Sequence, residues 1–226
     1  MFPSLYAILD QQFIKTSVVN YAKDLVDAGV ELIQYRAKGL SPRAYFATCA
    51  TLTEALANAN ARLIINDRPD IAAMVGAGGV HVGQDDLAPG DARKICGASR
   101  WVGVSTHNFE QVRAAAHAPV DYIALGPIFP TATKRKPDPV VGTSLIREAR
   151  KLTEKPIVAI GGITLERATE VFAAGANSVA VIRDLLDAPD PIARAREFLA
   201  VAAKSRASSC TQSRFGNSSS EGRNDG

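Results

Sequence analysis

Eight short apolar runs with strand character recur along the chain, and segments with helical spacing separate them. The runs cover residues 5–9, 31–35, 62–65, 79–82, 101–105, 122–125, 157–160 and 178–182. Between the first two, apolar residues spaced by three or four end at Gly29, which is typical of a helix C-terminus. Ser41, Asn108 and Thr164 stand where helix N-caps are expected. Eight strand–helix units in about 200 residues predict a parallel (β/α)8 TIM barrel.

An open, doubly wound α/β sheet is the alternative architecture. No Gly-x-Gly-x-x-Gly motif follows the first apolar run, which argues against it. The composition, 46% hydrophobic and 22% charged over 226 residues, is that of an ordinary globular protein. We therefore predict one barrel domain over residues 1–204.

Residues 205–226 differ in composition from the rest of the chain. They are rich in serine, polar and nearly free of aliphatic side chains, so we predict a disordered polar tail. The net charge is +3, and the stretch from Lys204 onward carries much of it. The barrel itself is then almost neutral, and nothing indicates binding to nucleic acid. The sequence gives no indication of the oligomeric state.

The cysteines and the N-terminus indicate the compartment. Cys49, Cys96 and Cys210 are odd in number, and none of their spacings is typical of a metal or redox pair. The first residues lack the basic and long apolar regions of a signal peptide, and no apolar run approaches membrane-spanning length. A cytoplasmic protein with no membrane association is expected.

The second apolar run leads into Gln34, Arg36 and Lys38. In an extended strand, residues two apart point to the same side, so the three side chains should project together into the barrel mouth. Ile33 and Tyr35 should then face the helices. Arginine and lysine in this arrangement suit a phosphorylated group. A solvated strand end is the less favoured alternative.

Carboxylates follow the third and fourth runs. Asn66-Asp67 ends one run, and Asp86 lies shortly after the next. Two carboxylates from adjacent strand ends can hold one Mg²⁺, with substrate oxygens and water completing its coordination. Asp67 can instead open a helix and Asp86 can instead form a turn; their occurrence at matching strand ends favours the metal.

Hydroxyl groups and a pair of glycines follow the last three runs, together with basic residues. Thr131, Thr133 and Lys134 follow the sixth run, and they suit phosphate or a polar ring, with residues 135–139 as a candidate lid. A Gly161-Gly162 pair follows the seventh run, and Ile182-Arg183 ends the eighth. In barrel enzymes the loops after these strands commonly bind phosphate through backbone N–H groups. Two anion sites are therefore expected, one with metal and one with backbone donors.

The histidines are weaker candidates for the site. A lone histidine inside a strand, such as His81, is more often a packed core residue than a catalyst. His107 follows the fifth run and lies where it can reach the site.

Six motifs in order resemble the thiamine-phosphate synthase family over about residues 5–199. They are Gln-Tyr-Arg-Ala-Lys at 34–38, Asn-Asp-Arg at 66–68, Gly-Val-His-Val-Gly-Gln-Asp-Asp at 79–86, Gly-Val-Ser-Thr-His at 103–107, Gly-Pro-Ile-Phe-Pro-Thr-Ala-Thr-Lys at 126–134 and Ala-Ile-Gly-Gly-Ile at 159–163. The resemblance implies a TIM-barrel transferase that joins a pyrimidine diphosphate to a thiazole phosphate and releases pyrophosphate.

The resemblance also implies roles for individual residues. By position in the motifs, Asp67 and Asp86 would bind one Mg²⁺. The diphosphate would be held by Arg36, Lys38, Ser105 and Lys134, and the pyrimidine by Gln34 and Asn66. The thiazole phosphate would be bound by Thr131, Thr133, Gly162 and the backbone of Ile182 and Arg183.

Arg183 departs from the family, which often has serine there, so the role of its side chain is open. Two other functions are considered on the same barrel. A thiazole tautomerase would use His107 as acid and base and would not need both carboxylates, and a thiamine-phosphate sensor would bind without turnover. The carboxylate pair and the phosphate-binding residues favour the synthase over both.

Overall fold

The computed structural model describes residues 1–131, 133 and 138–215. Eight parallel strands close into a barrel in sequence order, with the last strand beside the first. The strands are β1 (Leu5–Asp10), β2 (Leu32–Arg36), β3 (Arg62–Asn66), β4 (Gly79–Val82), β5 (Trp101–Thr106), β6 (Tyr122–Leu125), β7 (Ile157–Ile160) and β8 (Ser178–Val181). The predicted (β/α)8 barrel is confirmed, and the strands agree with the predicted runs to within one residue at each end.

Helices surround the barrel and connect successive strands. They are α1 (Val18–Asp27), α2 (Pro42–Ala55), α3 (Pro69–Met74), α4 (Pro89–Cys96), α5 (Phe109–His117), α6 (Ser144–Leu152), α7 (Leu165–Ala173), α8 (Arg183–Leu186) and α9 (Pro191–Phe215). Among the described residues, no helix combines the length and the apolar character needed to cross a membrane.

The alternation of side chains along β2 shows how the strands divide the core into two layers. Ile33 and Tyr35 face outward into the layer between strands and helices, where the Tyr35 ring stacks on Tyr45 of α2 at 5.4 Å. Leu32 faces inward and belongs to the apolar interior of the barrel. Gln34 also faces inward, one step closer to the open end. The period of two therefore places the polar members of β2 inside the barrel mouth.

Aromatic side chains close the N-terminal end of the barrel. Phe2 stacks on Trp101 with ring centroids 5.1 Å apart, and the Arg62 guanidinium lies 4.2 Å from the Trp101 ring. Above them lie Tyr6, Ile8, Leu32, Ile64, Tyr122, Ala124, Val158 and Ala180. Because this end is filled, the barrel interior is accessible only where the strands end.

All three predicted N-cap residues stand directly before their helices, and two of them make the expected side-chain hydrogen bond. The Ser41 side chain accepts a hydrogen bond from the Ala44 N–H, and Asn108 does the same for Gln111. Thr164 makes no side-chain cap for α7. Instead, the Asp184 carboxylate, from the following β/α unit, accepts from the Leu165 N–H at 3.3 Å. A helix cap that comes from a residue distant in sequence cannot be predicted from the local sequence pattern.

The C-terminal region departs from the prediction of a disordered tail from Ser205. Helix α9 begins at Pro191 and continues to Phe215, so residues 205–215 are helical, while residues 216–226 lie outside the described part. The Arg206 guanidinium donates to the carbonyl of Phe2 at 3.0 Å, which ties the helix to the barrel floor. The polar composition suggested disorder, but the absence of proline and glycine from residues 192–215 is compatible with a continuous helix.

Candidate active site

A cavity of about 710 Å³ opens at the C-terminal ends of the strands. Its size is that of a pocket for small-molecule ligands, which usually measures about 300–1,000 Å³. It is lined by every predicted site residue in the described part of the chain: Gln34, Arg36, Lys38, Asn66, Asp67, Asp86, Ser105, Thr131, Thr133, Gly162, Ile182 and Arg183. Lys134 lies outside the described residues, as do the lid candidates Arg135, Lys136 and Pro137. The structure therefore brings these residues together around one pocket.

The Arg36 guanidinium forms an ion pair with Asp10, the last residue of β1. Asp10 is only 2% exposed, and its other oxygen accepts from the Gln12 N–H at 3.2 Å. An arginine held in this way keeps a defined orientation, with its remaining N–H groups available to an anion. The sequence interpretation missed Asp10, although it ends an apolar run in the same manner as the other site residues.

The Lys38 ammonium lies 3.3 Å from the Asp67 carboxylate. Asp67 has a φ of 62°, in the left-handed region that few residues other than glycine adopt. Its N–H donates to the carbonyl of His81 at 2.8 Å, so the neighbouring strand β4 holds this conformation. The tight turn directs the Asp67 side chain into the pocket instead of opening helix α3, whose first turn contains Asp70.

Asp67 and Asp86 lie close enough to influence one another. Burial and the neighbouring Asp86 carboxyl raise the pKa of Asp67, while Lys38 opposes the shift. Asp86 accepts a hydrogen bond from the Gly83 N–H at 2.7 Å, which keeps its side chain turned back toward the strand end. Two carboxyl groups held this close together are a favourable setting for a cation.

The donor set fits Mg²⁺ of the kind that is shared with a substrate. Among the described residues, no group of three or more His, Cys, Asp or Glu side chains is arranged to hold a metal. Mg²⁺ bound by one or two carboxylates, with water and substrate phosphate as its other ligands, needs no larger group. The pair Asp67–Asp86 meets this requirement.

Gln34 and Ser105 are both anchored to the barrel interior. The Gln34 amide donates to the Tyr6 hydroxyl at 2.6 Å, and Ser105 Oγ lies 2.9 Å from His81 Nε2. His81 is 7% exposed and stacks on Tyr122, in agreement with its interpretation as a core residue. Burial lowers the pKa of His81 to about 4, so its ring is neutral near pH 7. No sequence pattern pointed to Tyr6 and Tyr122 as partners of the site, because tyrosine in a strand usually serves packing.

Asn66 ends β3 beside these residues. Its side chain lines the pocket, while its carbonyl accepts from the Tyr45 hydroxyl at 3.1 Å. The backbone at the end of β3 is thus held by helix α2, which leaves the amide of Asn66 to face a ligand.

The loop after β6 contributes hydroxyl groups to the opposite side of the pocket. Thr131 Oγ1 lies 3.3 Å from Thr133 Oγ1 and accepts from the Thr133 N–H at the same distance. Gly162, with a φ of 64°, packs against this loop: a Cβ there would lie 2.5 Å from the carbonyl oxygen of Pro130. The glycine is therefore required for the two loops to approach, in addition to any part in binding an anion.

Ile182 and Arg183 follow β8, where the short helix α8 begins. The Arg183 Nε donates to Asp187 Oδ2 at 2.8 Å, and the guanidinium lies 5.7 Å from the Phe13 ring centroid. The side chain is 51% exposed, so it stands at the rim of the pocket. Its side chain is engaged within α8, which leaves the backbone as the main feature offered to a ligand here.

His107 also lines the pocket. Its Nδ1 lies 2.6 Å from the carbonyl oxygen of Gly126, and its Nε2 lies 3.6 Å from Asp138. Because a carbonyl only accepts, Nδ1 carries a hydrogen in this arrangement. His107 thus joins the end of β5 to both ends of the loop that follows β6.

Comparison with known proteins identifies the family. The thiamine monophosphate synthase family model matches residues 5–185. A thiamine-phosphate synthase from Koribacter versatilis is 50% identical over 204 residues, covering 88% of this chain and 95% of that protein. One from Caldicellulosiruptor saccharolyticus is 37% identical over 188 residues, covering 83% and 85%.

A solved structure agrees with this result. A thiamine phosphate pyrophosphorylase from Pyrococcus furiosus superimposes with a TM-score of 0.80 at 28% identity, covering 89% of this chain and 96% of the other. The chain therefore belongs to the thiamine-phosphate synthase family.

Proposed function

We propose that this chain joins 4-amino-2-methyl-5-(diphosphooxymethyl)pyrimidine to 4-methyl-5-(2-phosphooxyethyl)thiazole, giving thiamine phosphate and pyrophosphate. The observation that carries this proposal is the division of a single pocket into two unlike sides. One side holds Arg36, Lys38, Asp67 and Asp86, and the other holds threonine hydroxyls and loop backbone. Two phosphorylated reactants of different charge fit such a pocket.

The reaction is a substitution at the exocyclic methylene carbon of the pyrimidine. The C–O bond to the diphosphate breaks, its electron pair leaves with pyrophosphate, and the thiazole nitrogen forms the new C–N bond. The ring amino group can stabilise the developing cation, so the substitution proceeds dissociatively. The enzyme must then stabilise the leaving group, exclude water and align the nitrogen.

Stabilising the leaving group falls to the cationic side of the pocket. Arg36 and Lys38 reach it from the end of β2, and Ser105 adds a hydroxyl from β5. Lys134, whose placement is not described, is proposed from the sequence to join them. Negative charge grows on the diphosphate oxygens as the C–O bond breaks, so these groups bind the transition state more tightly than the substrate.

One Mg²⁺ per site is proposed, held by Asp67 and Asp86. When bound, it neutralises part of the charge of the diphosphate and of the departing pyrophosphate. Burial, and after it the neighbouring Asp86 carboxyl, raise the pKa of Asp67, while Lys38 opposes the shift. A divalent ion would lower that pKa and stabilise the ionised pair.

The remaining lining residues orient the two rings. Gln34 and Asn66 are proposed to contact the pyrimidine from the ends of β2 and β3. The thiazole phosphate is proposed to bind opposite, on Thr131, Thr133, Gly162 and the backbone of Ile182 and Arg183. With the two substrates bound in this proposed way, the thiazole nitrogen would approach the pyrimidine methylene from the side away from the pyrophosphate.

A direct assay tests the proposal. The protein is supplied with both substrates, with and without Mg²⁺, and thiamine phosphate and pyrophosphate are both quantified. Equal amounts of the two products, formed only with both substrates and Mg²⁺, are expected. Folded protein that makes neither product would overturn the proposal; isomerised thiazole phosphate would indicate the tautomerase, and tight thiamine phosphate binding without turnover the sensor.

A cytoplasmic location and small-molecule partners complete the proposal. Cys49 and Cys96 are both free and buried, as expected for a protein kept in a reducing compartment. The small net charge of +3 supports the absence of a nucleic-acid partner.

A further inference from the structure

A chain of buried hydrogen bonds crosses the barrel interior beneath the pocket. It uses one residue from each of β1, β2, β4, β5 and β6. Gln34 Nε2 lies 2.6 Å from the Tyr6 hydroxyl, which lies 2.9 Å from the Tyr122 hydroxyl. Tyr122 in turn lies 3.1 Å from His81 Nδ1, and His81 Nε2 lies 2.9 Å from Ser105 Oγ. The two ends of the chain, Gln34 and Ser105, both line the pocket.

The chemistry of the donors gives this chain a direction. The amide nitrogen of Gln34 donates to the Tyr6 oxygen, which leaves the Tyr6 hydrogen to be donated to Tyr122. Tyr122 then donates to His81 Nδ1. A neutral ring that accepts at Nδ1 carries its hydrogen on Nε2 and donates to Ser105. Ser105 accepts within the chain, and its hydroxyl hydrogen is free to point into the pocket.

The surrounding residues show that this chain of hydrogen bonds is part of the barrel core. Tyr6 and Tyr122 are fully buried, and burial raises the pKa of both hydroxyls, so they stay protonated. Gly103 makes room for the crossing: a Cβ at that position would lie 2.1 Å from Tyr122 Cζ and 2.4 Å from its hydroxyl oxygen. Any side chain on that residue of β5 would displace Tyr122.

Reversing the direction of donation along these hydrogen bonds requires all five residues to change together. The Gln34 amide would have to turn over, both tyrosine hydroxyls rotate, His81 move its hydrogen to Nδ1, and Ser105 donate inward. The forward chain offers the pocket an acceptor at Gln34 Oε1 and a donor at Ser105, whereas the reversed chain offers the opposite pair. The orientations of the two ends are therefore coupled across the barrel.

We propose that this chain makes the pocket specific for a substrate that has a hydrogen-bond donor on its ring and an anion at its other end. Tyr6, Tyr122 and His81 are then positioning residues, which act through Gln34 and Ser105. The proposal rests on the proposed function and deepens it, because an aminopyrimidine diphosphate matches the forward chain at both ends. An oxopyrimidine diphosphate matches Ser105 at the anion end, but its ring oxygen is an acceptor that faces the Gln34 Oε1 acceptor.

Replacing Tyr122 by phenylalanine removes one oxygen from the middle of the chain. We expect kcat/KM for the aminopyrimidine diphosphate to fall about tenfold, as for loss of one buried hydrogen bond. The preference for the amino over the oxo substrate should fall by a similar factor, while KM for thiazole phosphate stays unchanged. An unchanged preference in the folded variant would overturn the proposal.

Tyr21→Phe is the matched control. The Tyr21 hydroxyl is buried against the outer helices and has no hydrogen-bond partner among the described residues, so the same atom is removed without breaking a chain. We expect both kcat/KM and the amino preference to be unchanged in this variant. An equal loss of preference in Tyr21→Phe would show that the effect of Tyr122→Phe is general and would overturn the proposal.

A double-mutant cycle separates positioning from a purely structural role. If Tyr122 acts through Ser105, then Ser105→Ala and Tyr122→Phe together should cost much less than the product of the two single effects. Independent effects that multiply would contradict the coupling. Thermal unfolding followed by circular dichroism establishes that each variant is folded.

The third test needs no variant and no activity. The chain has three histidines, so ¹⁵N NMR can resolve His81, with His81→Asn to assign its signals. At neutral pH we expect a hydrogen on Nε2 and none on Nδ1, in the free protein and with inorganic pyrophosphate. The opposite tautomer would overturn the proposal even if the protein makes thiamine phosphate, and the expected tautomer would stand even if it does not.

Discussion

The two sides of the pocket bind phosphate in different ways. On the charged side, each described cation already has a carboxylate partner: Arg36 pairs with Asp10, and Lys38 lies 3.3 Å from Asp67. On the opposite side, called the neutral side and defined by Thr131, Thr133, Gly162 and Ile182, the main features are a hydroxyl pair and closely packed loops. Arg167, which donates to the Gly162 carbonyl at 2.8 Å, and Arg183 also line the pocket there. Side chains therefore dominate the first side, and the backbone dominates the second.

The difference reflects what happens to each phosphate during the proposed reaction. The diphosphate gains negative charge as it leaves, so groups around it stabilise the transition state and should control kcat. The thiazole phosphate keeps its charge throughout, so groups around it bind ground state and transition state alike and should control KM. Substitutions on the two sides should thus separate into two kinetic classes.

The largest effect is expected from Asp86→Asn on the charged side. The amide can still accept from the Gly83 N–H, so the turn is preserved while one proposed Mg²⁺ ligand loses its charge. We expect kcat to fall roughly 10³-fold, as for removal of a strong electrostatic group. Asp91→Asn, an exposed aspartate on α4, is the control and should keep full activity. Wild-type turnover in Asp86→Asn would show that the carboxylate only shapes the turn.

The same variant gives a pH test of the carboxylate pair in metal-free protein. A raised pKa means that the folded state disfavours the ionised form of Asp67. The free energy of unfolding should then decrease as the pH rises from about 3.9, the ordinary aspartate value, through the raised pKa. In Asp86→Asn the decrease should be smaller, by about 1.4 kcal/mol for each unit by which the pKa drops. Identical pH profiles would mean that the two carboxyls do not interact.

Arg36→Gln should have the next largest effect. We expect kcat to fall about 10²-fold, and the protein to lose about 3 kcal/mol of stability because buried Asp10 is left without its partner. The double variant Asp10→Asn/Arg36→Gln should recover most of the stability in urea unfolding but none of the activity. Recovery of activity would mean that Arg36 serves the fold alone.

On the neutral side we expect a smaller effect, and we expect it on KM instead of kcat. Thr131→Val keeps the shape of the side chain and removes the hydroxyl that accepts from the Thr133 N–H. KM for thiazole phosphate should rise about tenfold, the value of one hydrogen bond, with kcat nearly unchanged. Thr51→Val, at an exposed position on α2, is the control. A drop in kcat at constant KM would contradict the division between the two sides.

The smallest effect is expected from Arg183→Ser, which restores the residue often found in the family. The Arg183 guanidinium already pairs with Asp187 and is half exposed, so KM for thiazole phosphate should change less than about threefold. Steady-state kinetics with varied thiazole phosphate measures this. A tenfold increase would place the guanidinium on the substrate and make the neutral side partly charged.

Strand periodicity and strand ends account for what could be predicted about the site. Because alternate residues of a strand share a face and parallel strands end at one edge, Gln34, Arg36, Asp67 and Asp86 could be brought together without coordinates. Their partners could not be predicted in the same way. Asp10 on β1 contacts Arg36 on the adjacent strand β2, and no short-range sequence pattern predicts this ion pair.

Helix ends show the same limit on a smaller scale. Ser41 and Asn108 cap their own helices, and the sequence identifies both. Helix α7 is instead capped by Asp184 from the next unit, and α9 extends to Phe215, tied to the barrel by Arg206. Local sequence patterns predict local hydrogen bonds, but they do not predict partners that are distant in sequence.

The barrel, the end at which the pocket opens and the residue types around it follow from strand periodicity and chain direction, so they can be predicted from the amino-acid sequence. The contacts between groups required the folded structure: the Arg36–Asp10 pair, the packing of Gly162 against the loop after β6, and the buried hydrogen bonds from Gln34 to Ser105. Hydrogen bonds and ion pairs act over about 3 Å, and whether two groups come within that distance depends on how the barrel closes.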